Sequence, residues 1–267
     1  MPGLAPTMDT TMIPSTIRTF VGTTTDGPRA ARSRCDETMG AIKDYILCER
    51  LQPGDLLPTE TMLCELIGAS RSSVREAVRK LEALNIVSVR HGKGTFVGDL
   101  SLVPMVETLA FRSIISADKN LEDLKGVVTM RRVLDMGCAD DVVTALRGTD
   151  QPFLADLARQ MTDSAAKDES FPEQDIAFHT GLMQALHNTV AEELMRCLWL
   201  VQMTVLPQLD SASITEKLSQ TALVHERMLR TAIDGDLDGY RQAVIDHYTP
   251  IQSLLDDAIW KGPAVTK

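Results

Sequence analysis

The stretch of sequence that decides the fold is residues 56–97, LLPTETMLCELIGASRSSVREAVRKLEALNIVSVRHGKGTFV. Its apolar positions recur at helical spacing as far as Leu84, and residues 86–97 then change to short β-branched runs around a glycine-rich turn. Thr59 is a candidate N-cap, and Gly68 a candidate stop, for a first short helix. A helix, a turn, a second helix and a hairpin in this order predict a winged helix-turn-helix.

The second helix, near residues 71–84, has separate basic and apolar faces. Three arginines lie four residues apart on one face, while Val74, Val78 and Leu81 lie on another and are expected to pack on the preceding helix. A helix that enters the major groove needs long donors on its exposed face, and serines at its N-terminus can hold phosphate. The alternative is a solvated surface helix with ordinary arginines. The residues that we expect to contact DNA, including the wing tip, are Ser70, Arg71, Ser72, Arg75, Arg79, His91, Gly92 and Lys93.

The charge distribution agrees with a local DNA-binding patch. The chain carries a net charge of −10, which by itself argues against binding to a polyanion. Residues 70–93, however, hold six basic side chains against two acidic ones, and residues 100–267 hold 15 basic against 25 acidic. Phosphate affinity depends on the local footprint, so the patch is expected to bind DNA while the acidic remainder repels it.

Length and composition set the broad class. With 267 residues the chain is long enough for two domains, and no apolar run is long enough to span a membrane. Five scattered cysteines and no visible secretory signal indicate a cytoplasmic protein. Residues 1–32 are rich in threonine and proline without a sustained period, which predicts a disordered tail.

The remainder of the chain is helical in pattern. We expect a winged helix-turn-helix domain over 33–99 and an antiparallel all-helical bundle of six or seven helices over 100–260. The mainly α chain would then sense a ligand and dimerise through this bundle. The predicted helices lie near 103–115, 121–146, 151–167, 171–187, 190–208, 213–234 and 237–260.

Four side chains of the bundle form a candidate metal site. Asp175 and His179 lie four residues apart on one helical face, and His225 and His247 lie in two later helices that fold back at Gly235. Such a set can converge on one metal inside a bundle, or the histidines can be ordinary core or surface residues. Three imidazoles and one carboxylate suit Zn²⁺, which we expect, and also Ni²⁺, Mn²⁺ or Fe²⁺.

The N-terminal pattern quoted above resembles the DNA-binding half of the GntR family of bacterial regulators, over about residues 36–98. The resemblance implies that Ser70, Arg71, Ser72 and Arg75, with the wing residues His91 and Gly92, contact operator DNA. The chain departs from the family at Thr61, where an arginine that contacts DNA is common. One contact is expected to be missing there.

The C-terminal part, about residues 105–255, resembles the ligand-binding domain of the FadR subfamily, the FCD type. Its markers are Arg132-Val133-Leu134-Asp135, Asp175-Ile-Ala-Phe-His179, Asn188, His225 and Asp246-His247. The resemblance implies that Asp175, His179, His225 and His247 bind a metal in a central cavity. It also implies that Arg132 binds the carboxylate of a small organic acid there. Arg132 can instead be a surface residue or pair with Asp135, and Asn188, a weaker effector-binding candidate, can be a helix cap.

Three hypotheses follow from these patterns. The first is a homodimeric repressor or activator that binds a palindromic operator and responds to a carboxylate metabolite. The second is a metal-dependent hydrolase or other metalloenzyme built on the four candidate ligands. The third keeps DNA binding but makes the bundle a dimerisation domain, without a metal or with a fatty-acyl ligand.

Overall fold

The computed structural model describes residues 34–117, 121–206 and 212–261. The predicted disordered tail, residues 1–32, lies outside these ranges. Within them the chain is mostly helical, with one two-stranded antiparallel sheet. The mainly α fold class that the sequence predicts is confirmed.

The N-terminal domain follows the predicted order. Helices α1 (Arg34–Cys48), α2 (Glu60–Ile67) and α3 (Arg71–Ala83) precede strands β1 (Val87–Arg90) and β2 (Gly94–Val97). The α2 caps are confirmed: the Thr59 hydroxyl accepts the Met62 N–H, and Gly68 ends the helix with a φ of 70°. Ser70 takes the N-cap position of α3, and its side-chain oxygen accepts the Ser73 N–H at 3.2 Å.

The small core of this domain lies between α1, α3 and the hairpin. Ile42 of α1, Ala77 and Leu81 of α3 and Val87 and Val97 of the hairpin are buried together. The strands pair from Val87 opposite Val97 to Arg90 opposite Gly94, so the tight turn between them projects as a wing. The basic face of α3 remains outside this core.

The helices that follow the hairpin begin at Val103. In the described residues there are eight of them: α4 (Val103–Ala117), α5 (Glu122–Gly137), α6 (Ala139–Leu146), α7 (Pro152–Ala165), α8 (Pro172–Gln184), α9 (Thr189–Val205), α10 (Ala212–Asp234) and α11 (Leu237–Lys261). The extra helix arises because residues 121–146, predicted as one helix, form α5 and α6. The chain turns at Cys138 directly after Gly137, a poor helix former.

One large apolar core connects most helices of the bundle. It includes Leu124 and Val128 of α5, Leu182 of α8, Met228 of α10 and Val244 of α11. Helix α10 packs along α11, which returns after Gly235 at a φ of 76°. This packing brings α5, α8, α10 and α11 around one interior volume, where the polar cluster described below lies. Along the part of the chain that the structure describes, no helix has the length and hydropathy needed to cross a membrane.

Hydrogen bonds connect the two domains through residues 98–102. The Gly98 N–H donates to the Ile86 carbonyl beside the wing at 2.9 Å, and the Asn85 amide donates to the Ser101 hydroxyl at 2.8 Å. The Leu102 N–H then donates to the carboxylate of Glu193 on α9 at 2.7 Å. The linker is therefore bonded to both domains.

Candidate metal centre and DNA-contacting surface

The side chains predicted to contact DNA lie on one exposed surface of the N-terminal domain. The N-terminal turn of α3 and its basic face are solvent-exposed, and so is the turn of the wing. Ser70 and Ser72 share a hydroxyl–hydroxyl hydrogen bond of 2.9 Å at the helix start. The exposed set is Ser70, Arg71, Ser72, Arg75, Arg79, His91, Gly92 and Lys93.

Two arginines of this surface have neighbours that the sequence did not indicate. The Arg75 guanidinium forms an ion pair with Glu60 at the start of α2. This pair raises the pKa of Arg75, mainly through the hydrogen bond. At the wing, the Arg90 guanidinium lies over the Phe96 ring at 4.4 Å from its centre. Arg90 is exposed beside the predicted wing residues, which makes it a further candidate for contact with phosphate.

The bundle interior contains a compact cluster of one carboxylate and three imidazoles. Asp175, His179, His225 and His247 each offer a ligand atom, and these atoms all lie within 4.8 Å of one another. His179 Nε2 is 3.1 Å from His247 Nε2, and His225 Nε2 is 3.0 Å from Asp175 Oδ1. All three histidines are buried. The helical repeat along α8 and the turn at Gly235 thus bring together the four residues that sequence spacing selected.

The cluster is held by a second layer of buried polar groups. Asp135 of α5 is fully buried, and its Oδ2 lies 3.3 Å from His179 Nδ1. The Tyr248 hydroxyl donates to the same oxygen at 2.7 Å. Trp199 of α9 donates its indole N–H to Asp175 Oδ2. A carboxylate behind a histidine fixes the ring orientation and tautomer, as at many metal sites.

The environment sets the charge state of the cluster. Burial lowers the pKa of His225 despite its hydrogen bond with Asp175, and burial together with the neighbouring histidines holds the pKa of His247 well below its usual value. Burial alone would raise the pKa of Asp175, but the hydrogen bond with His225 and the charges of His179 and Arg131 hold it well below its usual value. Neutral imidazoles beside an ionised carboxylate are the forms that bind metal ions.

These residues fit a divalent transition metal. His179 Nε2 and His247 Nε2 face each other at 3.1 Å in a buried position, a separation compatible with two nitrogen ligands of one metal ion. His247 Nδ1 is buried without a hydrogen-bond partner in the described residues. The donor set of three nitrogens and one carboxylate oxygen is one that Zn²⁺, Ni²⁺, Mn²⁺ and Fe²⁺ all accept.

The two adjacent arginines of α5 have different surroundings. Arg131, not Arg132, reaches the cluster: its Nη1 donates to Gln202 Oε1 at 2.6 Å, and its Nη2 lies 3.9 Å from Asp175 Oδ2. Arg132 is partly exposed and directs its guanidinium to Gln252 of α11. Successive residues of a helix point about 100° apart, so only one of two adjacent arginines can face the cluster.

Asn188 also lies away from the cluster. It is exposed, and its side-chain oxygen accepts the Ala191 N–H at 3.1 Å as the N-cap of α9. Its position is explained by this capping bond, so the expectation that it binds an effector has no support here.

A cavity opens next to the cluster. Its volume is about 160 Å³, and Asp175 and Gln202 form its polar end. The other walls come from the start of α8, the end of α9 and the facing sides of α10 and α11. The apolar side chains of these walls are Phe171, Pro172, Met203, Leu206, Ile251 and Leu254.

A winged helix-turn-helix joined to a helical bundle with an internal polar cluster defines a class of protein: transcriptional regulators that bind DNA. The profile described as "Bacterial regulatory proteins, gntR family" matches residues 36–97, and the profile of the FCD domain matches residues 127–249. The chain belongs to the GntR family and carries an FCD domain.

Two curated relatives and one solved structure agree with this assignment. The putative transcriptional regulatory protein NedR of Micromonospora viridifaciens is 35% identical over 106 residues, which span 40% of this chain and 75% of NedR. The HTH-type transcriptional regulator LutR of Bacillus subtilis is 25% identical over 208 residues, 77% of this chain and 93% of LutR. A solved structure, Streptococcus agalactiae GntR, has a TM-score of 0.60 at 23% identity, covering 82% of this chain and 99% of that one.

These comparisons distinguish a DNA-binding regulator from a metalloenzyme. The matching families and relatives are transcriptional regulators and not enzymes, so the metalloenzyme hypothesis is unsupported and the chain is a DNA-binding regulator. The comparisons do not decide whether the bundle binds a metal and an organic acid or only dimerises.

Proposed function

We propose that this regulator binds a divalent metal ion, most simply Zn²⁺, in its FCD domain and a small organic acid beside it, and that the two together change its affinity for operator DNA. The observation that carries the proposal is the convergence of Asp175, His179, His225 and His247 within 4.8 Å in the bundle interior. Asp135 would orient His179 from behind, as the distance of 3.3 Å supports.

The bound metal would act as a fixed positive charge and as an attachment point for a carboxylate oxygen. The Asp175 carboxylate and the Arg131 guanidinium both lie at this interior. A divalent cation would add two positive charges beside them, which would attract an anion. Arg131 would donate to the carboxylate of the effector, in place of Arg132, because its Nε and Nη2 are buried without hydrogen-bond partners in the described residues.

The exposed basic surface of the N-terminal domain would read the operator. We assign Arg71, Arg75 and Arg79 to the major groove or its flanking phosphates, and the wing tip His91-Gly92-Lys93 to the adjacent groove. Ser70 and Ser72 would hold a phosphate at the α3 N-terminus. We place the boundary between the DNA-binding domain and the effector-binding domain at residues 99–100. A bacterial regulator that binds chromosomal DNA works in the cytoplasm, which is the location we propose.

A homodimer on a palindromic operator is part of the proposal, because one recognition helix contacts few base pairs. Two helices that pack against each other, α4 and α5, expose large apolar side chains that a second copy would cover. Phe111 and Ile115 are 65% and 57% exposed, and Met130 and Val133 are 53% and 52% exposed. Light scattering of the wild type and of Phe111→Glu tests this: we expect a dimer and a monomer, respectively, and a monomeric wild type would contradict the assignment.

The experiment that tests the sensing function is DNA binding under three conditions. An operator is first obtained by in vitro selection, and its affinity is measured by fluorescence anisotropy for metal-free protein, zinc-loaded protein, and zinc-loaded protein with an organic acid. We expect zinc and the acid to change the affinity, and His225→Ala to bind DNA without responding. Operator binding that zinc and a broad set of acids leave unchanged would make the bundle a dimerisation domain only.

A further inference from the structure

The cavity beside the cluster has two ends of different chemistry. Asp175 and Gln202 form one end, and the Oε1 atom of Gln202 is already engaged by Arg131 at 2.6 Å. Among the described residues that line the cavity, Ser170 and Thr221 are the only others with a hydroxyl group. A ligand that fills the cavity therefore meets polar groups at one end and hydrocarbon along its length.

The polar end favours a carboxylate only when a cation is present. The Asp175 carboxylate lines this end of the cavity and is hydrogen-bonded to Trp199 and His225, so the metal-free cavity presents an acidic group to an incoming acid. A divalent cation on the cluster would add positive charge there, and the Arg131 guanidinium lies directly behind. The carboxylate of a ligand belongs at this end, and the remainder of the ligand extends toward Met203 and Ile251.

The apolar walls disfavour ligands with many hydroxyl groups. Each hydroxyl that enters the cavity without a partner loses its hydrogen bonds to water, whereas a hydrocarbon body gains from leaving water. The cavity volume of about 160 Å³ is close to the roughly 150 Å³ of an apolar cavity that holds one benzene molecule. The apolar walls therefore restrict the polarity of a ligand, and the volume suits a body of about this size.

We infer that this cavity selects monocarboxylic acids whose body is apolar and no larger than about a benzene ring, over polyhydroxylated sugar acids of similar length. This inference rests on the proposed function, since it requires metal and acid to bind at the same site. It goes beyond the proposed function because the side chains of this particular chain set the class of acid.

The test is calorimetric titration of the full-length protein in two steps. Zinc is titrated first into chelator-treated protein, and then benzoate, hexanoate and gluconate are each titrated into the zinc-loaded form. We expect benzoate or hexanoate to bind at least roughly tenfold more tightly than gluconate, and neither to bind without zinc. Absence of zinc binding would contradict the proposed function, whereas zinc binding with equal or stronger gluconate binding would overturn the selectivity alone.

A pair of methionine substitutions gives the matched control. Met203→Gln places an amide on the cavity wall at nearly constant volume, and Met62→Gln makes the same change at an exposed position of α2. We expect Met203→Gln to reduce the preference for benzoate over gluconate several-fold and Met62→Gln to leave it unchanged. An unchanged preference in Met203→Gln, with zinc binding intact, would also overturn the inference.

Discussion

Asp135 is a buried residue that lies beside His179 without being one of the four candidate ligands. Its Oδ2 lies 3.3 Å from His179 Nδ1 and accepts the Tyr248 hydroxyl at 2.7 Å. Burial raises the pKa of Tyr248 well above its usual value, so its hydroxyl keeps the proton that it donates. The Tyr248 hydroxyl therefore holds the Asp135 carboxylate beside the His179 ring.

Replacing this carboxylate is expected to weaken metal binding while leaving the ligand set intact. Asp135→Asn should lower zinc affinity about 10- to 100-fold, the usual effect of removing a carboxylate behind a histidine ligand. Competition with a chromophoric chelator measures the change, and Asp141→Asn, at an exposed position of α6, is the control. Wild-type zinc affinity in a folded Asp135→Asn protein would show that Asp135 plays no part in the site.

The buried histidines also predict how acid destabilises the metal-free protein. The pKa values of His225 and His247 are lowered in the folded state, mainly by burial, from an unfolded value near 6.5. As the pH falls below about 6.5, the unfolded chain binds protons that the folded chain does not. The free energy of unfolding should therefore fall by up to about 1.4 kcal/mol per pH unit for each histidine, until the folded-state pKa is reached.

Urea denaturation of chelator-treated protein at about pH 7.5, 6.5 and 5.5 measures this dependence. His247→Phe removes one of the two titrating groups and should make the dependence shallower. A free energy of unfolding that stays constant or rises on acidification in this range would contradict the assignment of neutral, buried imidazoles.

At the residue scale, the four candidate ligands could be predicted from the sequence, whereas the residues that surround them could not. Scarcity and spacing singled out the histidines, because only five occur in the chain. The choice between Arg131 and Arg132 depends on the rotation of α5 about its axis, which adjacent identical residues do not reveal. The apolar neighbours Val127, Val128 and Leu124, all buried, were the signal that places Arg131 on the inner face.

At the scale of elements, α9 connects the cluster to the DNA-binding domain. Trp199 and Gln202 of this helix bond to Asp175 and Arg131, and Glu193 of the same helix accepts the Leu102 N–H of the linker. If α9 shifts when the cluster binds its ligands, the hydrogen bond between Glu193 and the Leu102 N–H of the linker would therefore change. Two states of this connection, favoured unequally by the ligands, are what a coupled sensor requires.

The connection is tested by removing its linker end. In Glu193→Ala, zinc should still bind, but the Leu102 amide should exchange with deuterium on the order of tenfold faster, and zinc should no longer change exchange across residues 98–102. Glu192→Ala is the matched control, since Glu192 is the adjacent, partly exposed carboxylate and its side chain accepts from the Gln184 amide at 2.8 Å instead of from the linker. A zinc response at the linker that persists in Glu193→Ala would exclude coupling through Glu193.

The elements themselves were largely predictable, because caps and periodicity mark them locally. Thr59, Gly68 and Ser70 define the ends of α2 and α3 as expected. The division between α5 and α6 was missed because apolar periodicity continues through Cys138, and the turn is set by packing against α10 and α11. Gly137 was the only local indication of it.

At the scale of the whole molecule, charge and function are divided between the two domains. The basic residues of α3 and the wing lie on the N-terminal domain, whereas the acidic excess of the chain lies in the bundle. This division favours DNA binding through one surface. The account as a whole depends on whether the bundle holds a metal.

The most direct test is elemental analysis of untagged protein purified without chelators, for the wild type, His225→Ala and His187→Ala. His187 is exposed and lies outside the cluster, so its variant controls for the loss of a histidine. We predict about one divalent transition metal ion per chain in the wild type and in His187→Ala, and a loss in His225→Ala. A wild-type protein that binds its operator, contains no metal and takes up no added zinc would contradict the central claim.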